Sequence, residues 1–224
     1  MQSEKTIRVR RIIQVVNMSK GLFITFEGTD GCGKSTQIQL FADYLKSIGR
    51  EVVVTREPGG TAISERIREI ILDPNAKEED PITEMFLFAA ARAQHVAQLI
   101  KPSVEAGKIV LCDRFVDSSI AYQGYARGLG DQVRIINEYA VSGCVPDITF
   151  FFDISAEESK KRNSFTDKAD RMELEKLDFH QKVYQGFKEL AENNKDRFVV
   201  IDASKSIEEI QKNLQDIFNA RASF

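Results

Sequence analysis

A glycine-rich segment between an apolar run and a helical segment constrains the fold of this chain more than any other feature. Residues 28–35 read Gly-Thr-Asp-Gly-Cys-Gly-Lys-Ser. They follow residues 21–27, which are rich in β-branched and aromatic side chains, and they open a stretch with helical period. The segment fits G-x-x-x-x-G-K-[ST] in the strand, turn and helix context that a phosphate-binding loop requires. A chance glycine-rich turn is the alternative, and this context disfavours it.

The residue types of this segment suit a nucleoside triphosphate with Mg²⁺. Glycines let the backbone turn its N–H groups toward phosphate oxygens, and the helix that begins there adds its positive end. Lys34 supplies a point charge, and the Ser35 hydroxyl is a natural Mg²⁺ ligand. We therefore expect ATP and Mg²⁺ as cofactors, with Cys32 as small filler within the loop. The predicted binding residues are Gly28, Asp30, Gly31, Cys32, Gly33, Lys34, Ser35 and Thr36.

Strand-like and helical segments alternate along the rest of the chain. The predicted strands are residues 21–27, 51–55, 108–113, 147–154 and 197–202. The run at 51–55 is nearly continuous in apolar residues, which is typical of a strand buried on both faces. Alternation of this kind predicts a parallel sheet covered by helices on both sides. The expected fold class is α/β, a P-loop NTPase fold, doubly wound, with a five-stranded parallel sheet flanked by helices.

Composition bounds the class of protein. The 224 residues include 42% hydrophobic and 29% charged residues, which is ordinary for a globular protein. A net charge of −3 does not suggest a nucleic-acid partner, and no apolar run approaches a membrane span. Three widely spaced cysteines indicate a reducing compartment, hence a cytoplasmic location. We expect one domain over residues 21–224, preceded by an extension at residues 1–20 that is disordered or derived from an upstream start.

Two further strand ends carry polar residues. Thr55-Arg56-Glu57-Pro58-Gly59-Gly60 follows the second strand, and Asp113-Arg114-Phe115 follows the third. Ligands of such sheets bind beyond the carboxyl ends of the strands. Asp113 is therefore a candidate Mg²⁺ ligand with Ser35, and Arg114 is a candidate for gripping phosphates bidentately. A tight turn with solvated charges, and a surface salt bridge for Arg114, are the alternatives.

Several segments together resemble the bacterial thymidylate kinase family. They are the loop at 26–36, Thr55–Gly60, the Phe-Ala-Ala-Ala-Arg run at 88–92, and Asp-Arg-Phe-Val-Asp-Ser-Ser-Ile-Ala-Tyr-Gln-Gly at 113–124. The resemblance extends in order over about nine-tenths of the chain. It implies transfer of the ATP γ-phosphoryl group to dTMP, giving dTDP for dTTP synthesis, and a homodimer in which residues 86–91 and 133–141 are candidate surfaces.

The resemblance also implies roles for the acceptor site. Arg92 would bind the thymine edge, Phe88 would stack on the ring, and Ser119 and Gln123 would complete base recognition. Tyr122 would crowd the sugar 2′ position, and Asp30 would accept from the 3′-OH. Arg68 and Arg114 would hold the acceptor phosphate, and Glu57 would assist near the acceptor or its metal. From pattern alone, Phe88 and Tyr122 are core residues and Arg92 is a solvated helix residue.

The residue that supplies further positive charge to the transferring phosphoryl group is still to be assigned. The variable loop positions 29–32 hold no basic residue. In this respect the chain is similar to the branch of the family that supplies the arginine from a lid. The resemblance implies that the polar segment 162–172 is that lid, with Arg171 and Arg162 favoured and Lys168 as a partial substitute. The predicted catalytic set is thus Lys34, Asp113, Arg114, Arg162 and Arg171. Ala203, after the fifth strand, is placed beside the adenine, although Ser204 could simply cap the following helix.

Other classes of protein stay open at this point. Another P-loop nucleotide kinase would share the fold but would use a different acceptor. The combination of residues 55–60 with Arg92, Tyr122 and Gln123 favours dTMP as the acceptor. A regulatory NTPase would need a readout motif such as N-K-x-D, which the sequence lacks. A catalytically dead binding module is disfavoured by the intact Lys34, Ser35, Asp113 and Arg114.

Overall fold

The predicted five-stranded parallel sheet is present. In the computed structural model of the chain, residues 21–163 and 170–222 are described. The strands are β1 Leu22–Glu27, β2 Val52–Arg56, β3 Ile109–Asp113, β4 Ile148–Asp153 and β5 Phe198–Asp202. They lie in the order β2-β3-β1-β4-β5, and every pairing is parallel. The proposed extension at residues 1–20 lies outside the described residues, as do residues 164–169 of the proposed lid.

Helices connect successive strands. They are α1 Lys34–Ser47, α2 Ala62–Ile71, α3 Pro81–His95, α4 Lys101–Glu105, α5 Val116–Ser119, α6 Asp131–Val141, α7 Ala156–Asn163, α8 Leu177–Asn193 and α9 Ile207–Ala222. Side chains cap several of these helices: Thr61 accepts from Ser64 N at 3.3 Å, and Ser155 accepts from Glu158 N at 3.2 Å. The alternative interpretation of Ser204 as a helix cap is wrong. Ser206 caps α9 instead, accepting from Glu209 N at 3.2 Å, while the Ser204 hydroxyl donates to Asp202.

Both faces of the sheet are covered. Alternate residues of β1 point to opposite sides, since side chains alternate along a strand. Ile24 and Phe26 pack in one core with residues of α1 and α9, whereas Phe23 packs in another with Val110 and Phe115. A third cluster lies between α8 and β4, where Phe151 stacks on Phe187 with ring centroids 5.5 Å apart. The doubly wound arrangement thus fixes β1 at the centre.

The second strand departs from its sequence-based description. Residues 51–55 were expected to be buried on both faces, yet β2 is half-buried along its length and Val54 is 45% exposed. The reason is the strand order, because β2 lies at the edge of the sheet and pairs only with β3. Apolar composition therefore does not distinguish an edge strand from a central one in this chain.

Two helices contain a π-helical segment. The helix that begins at Pro81 does not stop before Lys101-Pro102, because Val96–Ile100 forms a π-helical segment and α4 continues from it. A second such segment, Ile120–Ala126, follows α5 directly and carries Tyr122 and Gln123. Segments of this type often occur at functional sites, because the wider turn redirects side chains.

The carboxyl ends of the strands lie in register along one end of the sheet. Phe26 is paired with Asp113, Arg56 with Asp113, and Glu27 with Phe151. The residues that follow these ends therefore converge, as expected for a parallel sheet. Over residues 21–163 and 170–222, no helix is long and apolar enough to cross a membrane.

Candidate active site

The glycine-rich loop follows β1 and leads into α1. Gly28, Gly31 and Gly33 have φ of 143°, 82° and 96°, a backbone region that favours glycine. Lys34 Nζ donates to Gly28 O at 3.2 Å and to Thr29 O at 3.0 Å, so the charged group lies inside the loop. Cys32 is buried in the hydrophobic cluster that contains Ile24 and Phe26. The loop thus has the backbone form and the charge that phosphate oxygens require.

Oxygen ligands for a magnesium ion meet beside this loop. Ser35 Oγ donates to Asp113 Oδ2 at 3.0 Å. The other carboxylate oxygen of Asp113 is buried and has no hydrogen-bond partner within the described part of the chain. Mg²⁺ favours oxygen ligands, and nucleotide sites hold it through one or two carboxylates together with phosphate oxygens. The hydroxyl and the carboxylate are therefore a suitable set for the predicted ion.

Arg114 connects the third strand to the phosphate loop. Its φ of 67° is unusual for a residue other than glycine and directs the chain sharply from β3 into α5. The guanidinium donates to Gly28 O at 2.8 Å and to Asp30 Oδ1 at 2.6 Å. Tyr122 Oη donates to Asp30 Oδ2 at 3.1 Å. Burial alone would raise the pKa of Asp30, but Arg114 and Lys34 outweigh it and hold that pKa at about 2.

Arg92, on α3, lies in the interior. It is 2% exposed, and its Nε donates to Glu57 Oε2 at 2.7 Å. Its Nη1 donates to Ser119 Oγ at 3.0 Å and also to Asn137 Oδ1, and its Nη2 donates to Phe115 O at 3.1 Å. The interpretation of Arg92 as a solvated helix residue is therefore wrong, because a buried carboxylate and three further acceptors surround the guanidinium.

A second layer holds Glu57 in place. His95 Nδ1 lies 3.0 Å from Glu57 Oε1, and His95 Nε2 lies 2.8 Å from Thr55 Oγ1. The packing is close: a Cβ at Gly60 would come within 2.5 Å of His95 Nε2. Glu57 thus has one oxygen on Arg92 and the other on His95, and its orientation is fixed from both sides.

One cleft of about 500 Å³ joins these two groups of residues. Arg68, whose Nη1 donates to Pro58 O at 2.8 Å, and the half-buried Phe88 contribute to its wall. The predicted site residues that line it are Asp30, Gly31, Gly33, Lys34, Ser35, Thr36, Glu57, Arg68, Phe88, Arg92, Asp113, Arg114, Ser119, Tyr122 and Gln123. Most of the predicted set therefore shares one cavity.

The two predicted lid arginines do not line that cavity, although Asp170 and Met172 on either side of Arg171 do. Arg162 Nη1 donates to Ala203 O at 2.9 Å, so Arg162 and the predicted adenine-side residue Ala203 are neighbours. Arg171 Nη2 lies 2.8 Å from Glu84 Oε2 and 3.3 Å from Glu79 Oε2, and its Nε donates to Ile71 O at 2.9 Å. Neither arginine is among the residues that line the cleft. Lys168 lies outside the described residues.

Glu27, the last residue of β1, is a buried acid that the sequence analysis did not identify. Phe115 N donates to its Oε1 at 2.8 Å, and Ser118 Oγ donates to its Oε2 at 2.6 Å. Burial, and then the nearby Asp117 carboxylate, raises the pKa of Glu27 to about 8, although these hydrogen bonds act in the opposite direction. Glu27 therefore ties the end of β1 to the turn that follows β3.

Other contributing residues were also missed. Glu84 and Asn137 contact Gln123 and Arg92 from α3 and α6, and His95 supports Glu57. His95 carried one usable signal, since it follows Arg92 by three residues and so lies on the same face of α3. Glu84 and Asn137 carried none, because their partners are distant in sequence and only the packing of helices joins them.

Comparison with known proteins identifies the family. The thymidylate kinase family model matches residues 26–214. The chain belongs to the thymidylate kinase family. A thymidylate kinase of Bacillus licheniformis is 52% identical over 200 residues, covering 88% of this chain and 94% of that protein. One of Thermoanaerobacter sp. is 49% identical over 199 residues, covering 88% and 97%.

A solved structure agrees with the family assignment. The crystal structure of thymidylate kinase from Ehrlichia chaffeensis superposes with a TM-score of 0.74 at 36% identity. It covers 89% of this chain and 99% of that one. The fold predicted from the sequence, a P-loop NTPase fold with a five-stranded parallel sheet, is confirmed. As a thymidylate kinase family member, the chain is a kinase.

Proposed function

We propose that this chain transfers the γ-phosphoryl group of Mg-ATP to the 5′-phosphate of dTMP, giving ADP and dTDP. One observation carries the proposal most: the phosphate loop and the buried Arg92 open onto the same cleft of about 500 Å³. A phosphoryl group moves between two nucleotides only when both are held in line at one site, so a shared cavity with a phosphate end and a base end suits this reaction.

The donor binds at the phosphate loop. Residues Gly28–Thr36 surround its phosphates, Lys34 supplies charge, and Ala203 borders the adenine beside Arg162. Ser35 and Asp113 hold Mg²⁺, which neutralises phosphate charge and positions the phosphoryl group when bound. The pairing of the Ser35 hydroxyl with Asp113 at 3.0 Å supports this role.

The sugar and phosphate of the acceptor lie between the two ends of the cleft. Arg68 and Arg114 hold the acceptor phosphate, and Asp30 accepts a hydrogen bond from the 3′-OH. The low pKa of Asp30 supports an acceptor role, because the ionised carboxylate only accepts. Tyr122, whose ring lies 5.3 Å below the Arg114 guanidinium, fills the space beside the sugar 2′ position.

The base end is formed by side chains with fixed orientations. Arg92 and Ser119 bind the thymine edge, Phe88 stacks on the ring, and Gln123 completes recognition. Glu57 acts by holding Arg92, which the 2.7 Å contact supports. A site whose buried polar groups require matching partners rejects bases that lack them.

Positive charge stabilises the transferring group. Lys34 and Arg114 act from the loop side, and the proposed lid at residues 162–172 adds an arginine while excluding water. Arg162 is favoured over Arg171 for this role. Its neighbour Ala203 is a donor-side residue, whereas Arg171 is paired with Glu84 and Glu79.

A homodimer in the cytoplasm completes the proposal. Apolar side chains are exposed on α3 and α6, among them Phe86 at 52% and Tyr139 at 83%. The two helices pack against each other, so these side chains supply a surface that a second copy could bury. Light scattering of the purified chain tests this, and a monomer at micromolar concentration would contradict it.

The activity is tested by coupled ADP release with Mg-ATP and, separately, dTMP, dUMP, UMP, dCMP or no acceptor. We expect strong turnover with dTMP, weaker turnover with dUMP, and almost none without acceptor. Preference for another monophosphate would overturn the assignment of the substrate. ADP release that does not depend on an acceptor would favour an NTPase instead.

A further inference from the structure

Glu84 lies behind the base end of the cleft. It is on α3 and fully buried, and Gln123 Nε2 donates to its Oε1 at 2.8 Å. Its Oε2 lies 3.0 Å from Arg127 Nη2 and 2.8 Å from Arg171 Nη2. One carboxylate thus holds the side-chain amide of a cleft residue while two guanidinium groups hold the carboxylate.

The contact with Glu84 determines which way the Gln123 amide faces. A carboxylate paired with two arginines only accepts hydrogen bonds, so the amide nitrogen of Gln123 must point toward Glu84. Reversing the amide would bring two acceptor oxygens together in the interior. The contact therefore selects one of the two orientations that an amide otherwise adopts with equal ease.

The oxygen atom of the Gln123 amide still needs a hydrogen-bond donor. Gln123 lines the cleft and is fully buried, and its Oε1 has no hydrogen-bond partner among the described side chains and backbone. Leaving a buried acceptor unpaired is unfavourable, so such groups normally serve a purpose. A hydrogen-bond donor on the ligand would satisfy this oxygen.

We propose that Glu84 is a specificity-determining positioning residue, which fixes the Gln123 amide so that it selects thymine over cytosine. Thymine N3 carries a proton and donates, whereas cytosine N3 accepts. A fixed carbonyl oxygen pairs with the first and repels the second, and an amide free to turn would accommodate both. This inference rests on the proposed function, since it assigns the base that Gln123 meets.

The two arginines make the selection firm. Both guanidinium groups lie within ion-pair distance of Glu84 Oε2, which keeps Oε1 opposite the Gln123 amide. Arg127 is itself held by Glu175 at 2.6 Å and lies over the Phe179 ring at 4.5 Å. The orientation of Gln123 is therefore set by Glu84 of α3 together with residues that follow the π-helical segment and precede α8.

The test compares kcat/KM for dTMP with kcat/KM for dCMP, both with Mg-ATP. In Glu84→Gln, the new amide can present either group to Gln123, so Gln123 can turn without loss. We expect the preference for dTMP over dCMP to fall about tenfold or more. The matched control is Glu79→Gln, the same change in a neighbouring acid that pairs with Arg171 but does not contact Gln123. Its preference should stay within about twofold of the parent chain.

A second variant covers a failure of Glu84→Gln to fold. Glu84→Asp keeps the charge for both arginines but withdraws it from Gln123, and a smaller loss of preference in the same direction is expected. An unchanged preference in a folded Glu84 variant, an equal fall in Glu79→Gln, or failure of both Glu84 variants to fold would overturn the inference. A parent chain that does not phosphorylate dTMP would instead contradict the proposed function.

Discussion

The two ends of the cleft hold charge in different ways. At the phosphate end, Lys34 begins α1 and Asp113 ends β3, and their partners are mostly backbone atoms and one hydroxyl. At the base end, Arg92 and Glu84 are buried, and each is held by side chains from several elements. Phosphates are recognised by charge, which tolerates small displacements, whereas a base edge is recognised by directional hydrogen bonds, which do not. The difference teaches that this chain surrounds its side chains with the most side-chain partners where hydrogen-bond direction matters.

The largest effect is expected from removing Arg92. Arg92→Ala leaves Glu57 and Asn137 buried without their partner, and breaking a buried pair costs about 3–5 kcal/mol. Urea unfolding should show that loss, and calorimetry should show that dTMP binding is lost as well. The control is Arg134→Ala, on the exposed surface of α6, with an expected change within about 0.5 kcal/mol. A similar loss in both variants would mean that burial does not distinguish the base end.

Removing Lys34 should affect catalysis more than folding. Lys34→Met takes away a charge that acts on the transferring phosphoryl group, and kcat should fall about 10²–10³-fold. Binding of dTMP should remain, because the contacts of Arg92 and Gln123 are unchanged. Lys46→Met, in the last turn of the same helix, should keep the parent kcat. If Lys34→Met weakened dTMP binding as strongly as turnover, the two ends would not be separable.

Glu27, which ties the end of β1 to the turn after β3, should make the stability of the chain depend on pH. Its pKa is raised from 4.5 to about 8 on folding, so the folded chain binds this proton more tightly. The resulting stability is fully present below pH 4.5 and is lost as the pH rises through about 8. The difference in unfolding free energy between the parent and Glu27→Gln should therefore shrink with a slope of up to about 1.4 kcal/mol per pH unit. Parallel curves for the two proteins would show that Glu27 titrates normally.

The smallest effect on stability is expected at Arg162. Within the described part of the chain its guanidinium donates to one backbone oxygen, and the residue is exposed, so Arg162→Gln should change the unfolding free energy by less than about 0.5 kcal/mol. Its kcat should nevertheless fall if it stabilises the transferring group. Arg171→Gln should cost more stability, because Glu84 and Glu79 lose a partner. If kcat fell in Arg171→Gln but not in Arg162→Gln, the catalytic charge would belong to Arg171.

The sequence predicted the phosphate end better than the base end for a physical reason. The loop residues and Lys34 are contiguous, and Asp113 directly follows an apolar strand, so local pattern and the rule of strand ends are sufficient. Arg92 looked solvated because its helix stretch gives no sign of a carboxylate from another element. Only the family resemblance assigned it to the site.

The same distinction applies to the fold. Strand composition predicted five parallel strands, because each strand is a local apolar run. It did not predict that β2 lies at an edge, since strand order depends on which elements pack together. Local pattern also does not predict that the helix continues through Lys101-Pro102, where a π-helical segment leads directly into α4.

Because the carboxyl ends of the strands are aligned, an inserted residue has different consequences at the two ends of the sheet. Near the carboxyl ends it would shift the site residues, whereas in the turns that precede the strands it would not. A residue inserted within β3 would move Asp113 away from Ser35 and turn alternate side chains to the wrong face. A residue inserted in the turn at Gly49, or in the turn at Gly107, would lie at the opposite edge of the sheet. Those two turns are therefore the natural places to attach a tag or a fluorescent domain while leaving the chemistry intact.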